Sequence, residues 1–152
     1  LYVSKTGRKY GLFDTYRLDD AEIAVVVLNS TAGTARPVVD ALRDDGIKAG
    51  LLKPRLFRPF PAAEIASALS HCRAVAVMDR AESFSGQGGP MFPEIRSALY
   101  DAEKRPLVIN YVYGLGGRDT GMRAVRSVYE NLITVARTGR FDKLVTHLGV
   151  RE

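Results

Sequence analysis

The sequence predicts an α/β fold in which a mostly parallel sheet has helices on both faces. Continuous apolar runs, typical of strands buried on both faces, alternate with segments of helical periodicity. With 152 residues, 46% of them hydrophobic and 26% charged, the chain is expected to form one globular domain around a single core.

The buried strands are predicted where β-branched and other apolar residues follow one another, at 23–28, 48–53, 74–79 and 107–113. Helices are predicted between and after these runs, at about 34–45, after Pro59 with Pro61 in the first helical position, at about 91–103 and at about 122–137. The first of these helices is expected to stop at Gly46.

The two ends of the chain differ from this alternation. Residues 10–18 predict a further short strand at an edge of the sheet, because no crossover helix follows it. Residues 1–9 are interpreted as a linker, 10–137 as the domain, and 138–152 as a tail. The tail carries apolar residues that could dock on the domain: Phe141, Leu144, Val145 and Leu148.

Composition argues against several kinds of site. A single cysteine, Cys72, cannot form an internal disulfide and indicates a reducing compartment, so a cytoplasmic location is expected. With two histidines besides, neither a metal site nor an iron–sulfur cluster is predicted on this chain. The net charge is +5, but the arginines are scattered, so no nucleic acid partner is expected. No apolar run approaches the length of a membrane helix, so no membrane partner is expected either.

Ligands and partners of an open α/β sheet meet the carboxyl ends of the strands. Four loops are predicted there: 29–34, 54–61, 80–90 and 114–121. In the first, NSTAGT, either Ser30, Thr31 or Thr34 caps the following helix, which is the favoured interpretation, or the loop holds an anion at the helix N-terminus. The two interpretations are compatible.

Loop 54–61, PRLFRPFP, combines arginine with aromatic residues, a composition enriched in interface cores. Its candidate interface residues are Arg55, Phe57, Arg58 and Phe60. A loop whose phenylalanines pack under the domain explains the same composition equally well. Loop 80–90, RAESFSGQGGP, contains Ser83 and Ser85 but not the elbow of a serine nucleophile, and His71 precedes strand 74–79 at its other end. No catalytic residue is therefore predicted.

Loop 114–121 begins GLGGRD after the aromatic run YVY. The spacing is neither that of a dinucleotide fingerprint nor that of a Walker loop. We interpret it as a strand end shaped for close packing. Gly114, Asp119 and Arg80 are added to the candidate interface, and Gly116, Gly117 and Arg118 join Ser30 and Thr31 as candidate anion-binding residues.

Three stretches also resemble one family: DDAEIAVVVLNSTAGTARPVVDALRDDGIKAGLLKPRLFRPFP, AVAVMDRAESFSGQGGPMFPEIRSALY and VINYVYGLGGRD. They are similar to the carboxyl-terminal part of the α subunit of 2-oxoacid:ferredoxin oxidoreductases, most of all the pyruvate enzymes. The closing LGVRE resembles the end of that subunit, and residues 1–9 would then lead from a preceding domain. Asn29 departs from the glycine usual in the family, which argues against a ligand very close to that loop.

The resemblance implies a transketolase carboxyl-terminal-like fold. This is a three-layer α/β/α sandwich with a mixed five-stranded sheet in the order 1-3-2-4-5, its first strand antiparallel. Strand 23–28 would lie between 48–53 and 74–79, so NSTAGT and RAESF would meet at the switch point.

The resemblance also implies a role in an enzyme of anaerobic metabolism. Complete enzymes of the family use thiamine diphosphate, magnesium and [4Fe-4S] clusters to convert pyruvate, coenzyme A and oxidised ferredoxin to acetyl-coenzyme A, carbon dioxide and reduced ferredoxin. None of these cofactors is expected on this chain alone, and no catalytic residue of the family maps onto it. The first hypothesis is a non-catalytic assembly domain whose partners are the N-terminal domain of its own subunit and the other subunits, with ferredoxin and coenzyme A as partners of the complex.

The alternatives are a module that binds a small anion, coenzyme A or an effector, and the same domain from an oxidoreductase for another 2-oxoacid. An independent enzyme is the weakest hypothesis, because no convergent acid–base pair or nucleophile is predicted.

Overall fold

The centre of the protein is a mixed β-sheet, seen in a computed structural model that describes residues 10–84 and 86–150. The strands of the described part have the order β1-β3-β2-β4-β5-β6. Their bounds are β1 Phe13–Tyr16, β2 Ile23–Val27, β3 Ala49–Pro54, β4 Ala74–Asp79, β5 Leu107–Val112 and β6 Val145–His147. β1 is antiparallel to β3, whereas the other pairs are parallel. The predicted linker 1–9, Ser85 and the last two residues of LGVRE lie outside the described residues.

Helices cover both faces of the sheet, as expected of parallel strands joined by crossover connections. α1 (Thr31–Asp44) and α4 (Met122–Thr138) pack on one face, and α2 (Ala62–Leu69) and α3 (Met91–Tyr100) pack on the other. A short 3₁₀ turn, Leu115–Gly117, lies between β5 and α4.

Each strand contributes to two cores because successive side chains point to opposite faces. In β2, Val25 packs with α1 and α4, whereas Val26 packs with α2 and α3. The first core also contains Tyr129, which is fully buried and donates a hydrogen bond of 2.8 Å to the carbonyl oxygen of Gly50. The continuous apolar runs in the sequence therefore reflect burial on both faces.

The predicted fold class is confirmed, including the antiparallel first strand and the position of β2 between β3 and β4. The strand count is corrected from five to six, since Val145–His147 of the predicted tail pairs with β5. Asn110 N–H donates to the Leu144 carbonyl oxygen and Leu148 N–H donates to the Val112 carbonyl oxygen, at 2.8 Å each. β6 thus satisfies backbone groups of β5 that would otherwise form an open sheet edge.

Elsewhere, the ends of the observed strands and helices differ from the predicted ones by a few residues. The first strand is shorter than 10–18, α1 begins at Thr31, and α3 ends at Tyr100. Within the described residues, no helix is both long and apolar enough to cross a membrane.

Candidate functional site

The carboxyl ends of β2, β4 and β5 meet at the switch point of the sheet. The connection after β2 leads to β3 on one side, and β4 pairs with β2 on its other side, so the loops after β2 and β4 diverge there. Asn29 turns the chain from β2 into α1 with a φ of 58°. Asparagine is one of the few residues besides glycine that tolerate this conformation. Asn29, which stands where the resembled family usually has glycine, therefore allows the same backbone conformation as glycine.

A polar cavity of about 220 Å³ opens at this switch point. Five of the candidate anion-binding and interface residues line it: Ser30, Thr31, Arg80, Arg118 and Asp119. Thr34, Tyr113, Thr120 and Gly121 complete the lining. Every lining residue except Gly121 has a polar side chain, so the cavity suits a polar occupant.

The three glycines of GLGG are not among the residues that line the cavity. Gly116 and Gly117 lie in the 3₁₀ turn and do not line the cavity. Gly114 is buried next to Arg80, and a Cβ on Gly114 would lie 3.0 Å from the Arg80 Nε. This glycine therefore gives Arg80 its space along the wall of the cavity. The anion-binding role of Gly116 and Gly117 stays a prediction, as does the interface role of Gly114.

The favoured capping interpretation of NSTAGT is wrong. Ser30 is the residue before α1, but its backbone is helical and no side chain caps the helix. Thr31 instead contacts the residue that follows β5, because the Tyr113 hydroxyl donates to Thr31 Oγ1 at 2.9 Å. The hydroxyl-bearing residues of this loop are thus directed to the cavity and its wall.

A buried polar network lies beside the cavity, and the sequence interpretation missed it. Asp79, the last residue of β4, and Asn110, inside β5, are 3% and 1% exposed. Asn110 Nδ2 donates to Asp79 Oδ2 at 2.9 Å and to the Val77 carbonyl oxygen at 2.8 Å. The other Asp79 oxygen accepts a 2.9 Å bond from Met91 N–H, so Asp79 supports the start of α3 from a neighbouring strand.

Burial raises the pKa of the Asp79 carboxyl, although its hydrogen bonds from Met91, Asn110 and Phe92 act in the opposite direction. Gly89 N–H donates to Asn110 Oδ1 at 2.9 Å, and a Cβ on Gly89 would lie 2.0 Å from Asp79 Cβ. The glycines of SGQGGP therefore let loop 80–90 close over this network. The signal in the sequence is an acidic residue at the end of an apolar strand followed by paired glycines.

Loop 80–90 presents one side chain entirely to solvent. Phe84 is fully exposed, with a relative exposure of 110%. The loop is held on both sides of Phe84, because Ser83 N–H donates to the Gly88 carbonyl oxygen and Glu82 contacts His147 of β6. Aromatic side chains are enriched in interface cores, so Phe84 joins the candidate contact residues. Sequence analysis did not single it out.

Loop 54–61 follows β3 and does not line the cavity. Arg55 forms an ion pair with Asp14 at 2.7 Å, and Arg58 forms one with Glu94 at 2.7 Å. Phe57 and Phe60 contact each other edge to face, with their ring centroids 6.3 Å apart. Both are half-buried against the core on the face of the sheet that α2 and α3 cover. The two phenylalanines thus pack against the domain, as in the packing interpretation of this loop. The interface role of Arg55, Phe57, Arg58 and Phe60 stays a prediction.

The remaining reactive side chains take part in structural contacts. His71 Nε2 lies 2.9 Å from the Leu18 carbonyl oxygen, and burial raises the pKa of the Cys72 thiol to about 12. Over residues 10–84 and 86–150, no group of three or more histidine, cysteine or acidic side chains is placed to hold a metal ion.

Comparison with known proteins connects this geometry with a family. The family model described as "Pyruvate:ferredoxin oxidoreductase core domain II" matches residues 21–125. The chain belongs to this family. The match includes the switch point, the cavity lining and the Asp79–Asn110 network. The resemblance noted in the sequence is thereby confirmed.

Relatives of this chain include subunits of pyruvate synthase and of ketoisovalerate oxidoreductase. The chain is 45% identical to pyruvate synthase subunit PorA of Thermotoga maritima over 84% of its length, and 42% identical to that of Methanothermobacter thermautotrophicus over 96%. It is also 39% identical to ketoisovalerate oxidoreductase subunit VorA of Pyrococcus horikoshii over 90% of its length. The chain spans 32%, 35% and 35% of these relatives.

A solved structure shares the fold. The 2-oxoglutarate:ferredoxin oxidoreductase from Magnetococcus marinus, with 2-oxoglutarate, coenzyme A and succinyl-CoA bound, superposes with a TM-score of 0.59 at 18% identity. The superposition covers 82% of this chain and 20% of that one. At this level of identity the likeness concerns the fold.

Proposed function

We propose that this chain is a non-catalytic assembly domain of the α subunit of a thiamine-diphosphate-dependent pyruvate:ferredoxin oxidoreductase. The observation that carries the proposal is the family match over residues 21–125, together with relatives of which this chain spans 32% and 35%. The complete enzyme would convert pyruvate, coenzyme A and oxidised ferredoxin to acetyl-coenzyme A, carbon dioxide and reduced ferredoxin. A cytoplasmic location belongs to the same proposal.

The state of the reactive side chains supports a non-catalytic role. The Asp79 carboxylate is 3% exposed and both of its oxygens accept hydrogen bonds from the domain itself. Cys72 is buried with a raised pKa, and His147 contacts Glu82. These contacts stabilise the fold, and the chemistry is assigned to other parts of the enzyme. Thiamine diphosphate, magnesium and [4Fe-4S] clusters would be bound there.

Loop 80–90 supports the assembly role. Phe84 is fully exposed at the carboxyl edge of the sheet, where Arg80 and Asp119 are also exposed. Burying a phenylalanine side chain contributes about 1.5–3 kcal/mol. We assign this edge to contact with the preceding domain of the subunit or with another subunit. The proposed partners are therefore parts of the same oxidoreductase.

Substitution of Phe84 in the full α subunit tests the assembly role. Phe84→Ser is expected to weaken association of the α subunit with its partner subunits, measured by native mass spectrometry and analytical ultracentrifugation. The matched control is Tyr100→Ser, because Tyr100 is 70% exposed at the end of α3, away from this edge. Equal assembly of the Phe84→Ser and wild-type complexes would contradict the assignment of this loop to an interface.

The second candidate is the same domain in an oxidoreductase for another 2-oxoacid. The VorA relative at 39% identity favours considering ketoisovalerate beside pyruvate. Rates of the complete enzyme with pyruvate and with ketoisovalerate, each with coenzyme A and a viologen acceptor, separate the two. Pyruvate is expected to be the faster substrate, and faster turnover of ketoisovalerate would select the second candidate.

A further inference from the structure

We propose that the polar cavity at the switch point is a binding site for a small oxyanion, a phosphate or carboxylate group. The cavity of about 220 Å³ has room for a group of this size rather than for a nucleotide. The inference does not rest on the proposed assembly role, because it concerns only side chains of this domain.

A buried hydroxyl hydrogen without an acceptor is the first observation. Thr31 and Tyr113 line the cavity and are 8% and 4% exposed. Their two hydroxyl groups share one hydrogen bond of 2.9 Å. That bond uses one of their two hydrogens, and the other has no acceptor among the described residues. Because both residues line the cavity, a group bound in the cavity can accept this hydrogen.

The charge of the lining is the second observation. Arg80 forms no ion pair or hydrogen bond within residues 10–84 and 86–150, although its side chain lies against Gly114 at the wall of the cavity. Arg118 also lines the cavity and donates to the Gly149 carbonyl oxygen, which holds it in place. Two guanidinium groups face one carboxylate, that of Asp119, so the lining has a net positive charge.

The backbone adds to this preference. α1 and α4, of 14 and 17 residues, both begin at the cavity, and neither start has a side-chain cap. The positive end of each helix dipole favours negative charge there, although the N–H groups of Gly33 and Ala124 already donate to the Ser30 and Gly121 carbonyl oxygens. Ser30 and Thr34 supply further hydroxyl groups at the start of α1. The geometry thus combines a hydroxyl donor, an unpaired guanidinium and helix starts around one small cavity.

Titration of the ¹⁵N-labelled chain with inorganic phosphate tests the site, with acetate in a second arm and sodium chloride at matched ionic strength as the reference. We expect saturable amide shifts confined to the starts of α1 and α4 at millimolar concentration. The arm with the tighter saturation identifies phosphate or carboxylate as the preferred group. If neither arm gives saturable shifts beyond those of chloride, the proposal is overturned.

Matched variants identify the residues. Arg80→Gln is expected to weaken binding by at least about tenfold, since the neutral amide cannot make a charge-assisted contact with the anion. Arg140→Gln removes an exposed arginine outside the cavity and is expected to leave the affinity unchanged. Equal losses in both variants would show non-specific attraction and overturn the site.

The double variant Thr31→Val, Tyr113→Phe tests the buried hydroxyl pair. It removes both hydroxyl groups with little change of shape, so the fold should tolerate it. The affinity for the preferred anion is expected to fall about fivefold, as for the loss of one ordinary hydrogen bond. An unchanged affinity would contradict the role of this pair.

Discussion

The Asp79–Asn110 network gives the most direct test of how the loops at the carboxyl edge are held. Replacing Asn110 by leucine keeps the approximate shape of the side chain but removes all three of its hydrogen bonds. Gly89 N–H then loses its acceptor, which costs about 1–3 kcal/mol in a buried position. The Asp79 carboxylate loses a bond that contributes about 1.5–3 kcal/mol. We therefore expect Asn110→Leu to lower the free energy of unfolding by about 3–5 kcal/mol.

Urea unfolding of the chain, followed by far-ultraviolet circular dichroism, measures this change, since the chain has no tryptophan. The control is Asn131→Ala, because Asn131 is exposed and makes a single bond of 2.6 Å to the Tyr111 hydroxyl. This control is expected to cost less than about 1 kcal/mol. A loss below about 1 kcal/mol for Asn110→Leu would refute the claim that the network stabilises the fold.

The same variant should respond to pH in a defined direction. The folded pKa of Asp79 is raised above its ordinary value of 3.8, so the folded state binds this proton more tightly than the unfolded state. The contribution of Asp79 to stability is therefore largest below the unfolded pKa and is lost as pH rises through the folded pKa. Loss of Asn110 removes a contact that lowers this pKa, so the deficit of Asn110→Leu should shrink in acid. A deficit that grows on acidification would contradict this assignment.

Close contacts, open space and burial give four further predictions. Gly89→Ala should destabilise the chain by about 1–3 kcal/mol, because its Cβ would lie 2.0 Å from Asp79 Cβ. Gly33→Ala should stabilise the chain by up to about 1 kcal/mol, because Gly33 lies on α1 and a Cβ there would meet only open space. Urea unfolding measures both glycine variants. Equal effects would contradict the close contact between Gly89 and Asp79. Tyr129→Phe should cost about 1 kcal/mol in the same assay through loss of its bond to Gly50, and no change would show that bond to be unimportant. Cys72 should resist a thiol reagent at about pH 8 until urea is added, since only the thiolate reacts; rapid native labelling would contradict its burial.

The main elements were predictable because their signals are local. Residues 23–28 and 74–78 are continuous apolar runs, and a buried parallel strand requires little else. β6 has no such signal, since Val145–His147 is three residues long and is stabilised by the backbone of β5. A strand of this kind depends on a partner edge 35 residues away, at Asn110.

The candidate site also has a part that was predictable from the sequence and a part that was not. Ser30, Thr31 and Arg118 could be placed at one edge because the carboxyl ends of parallel strands coincide. A cap at Ser30, Thr31 or Thr34 was predicted from residue type, but Ser30 has a helical backbone, no side chain caps α1, and Thr31 contacts Tyr113 instead. Asp79 bonds to Asn110, 31 residues away, and that pairing has no periodic signature in the sequence.

The central claim is that this domain is needed for the activity of a complete oxidoreductase but is not itself the catalyst. Its most direct test is coenzyme A-dependent pyruvate oxidation with a viologen acceptor, measured for the chain alone, for the complete complex, and for a complex whose α subunit lacks this domain. The account predicts activity in the complete complex and in neither of the other two preparations. Turnover by the chain alone, or full activity of the complex without the domain, would contradict it.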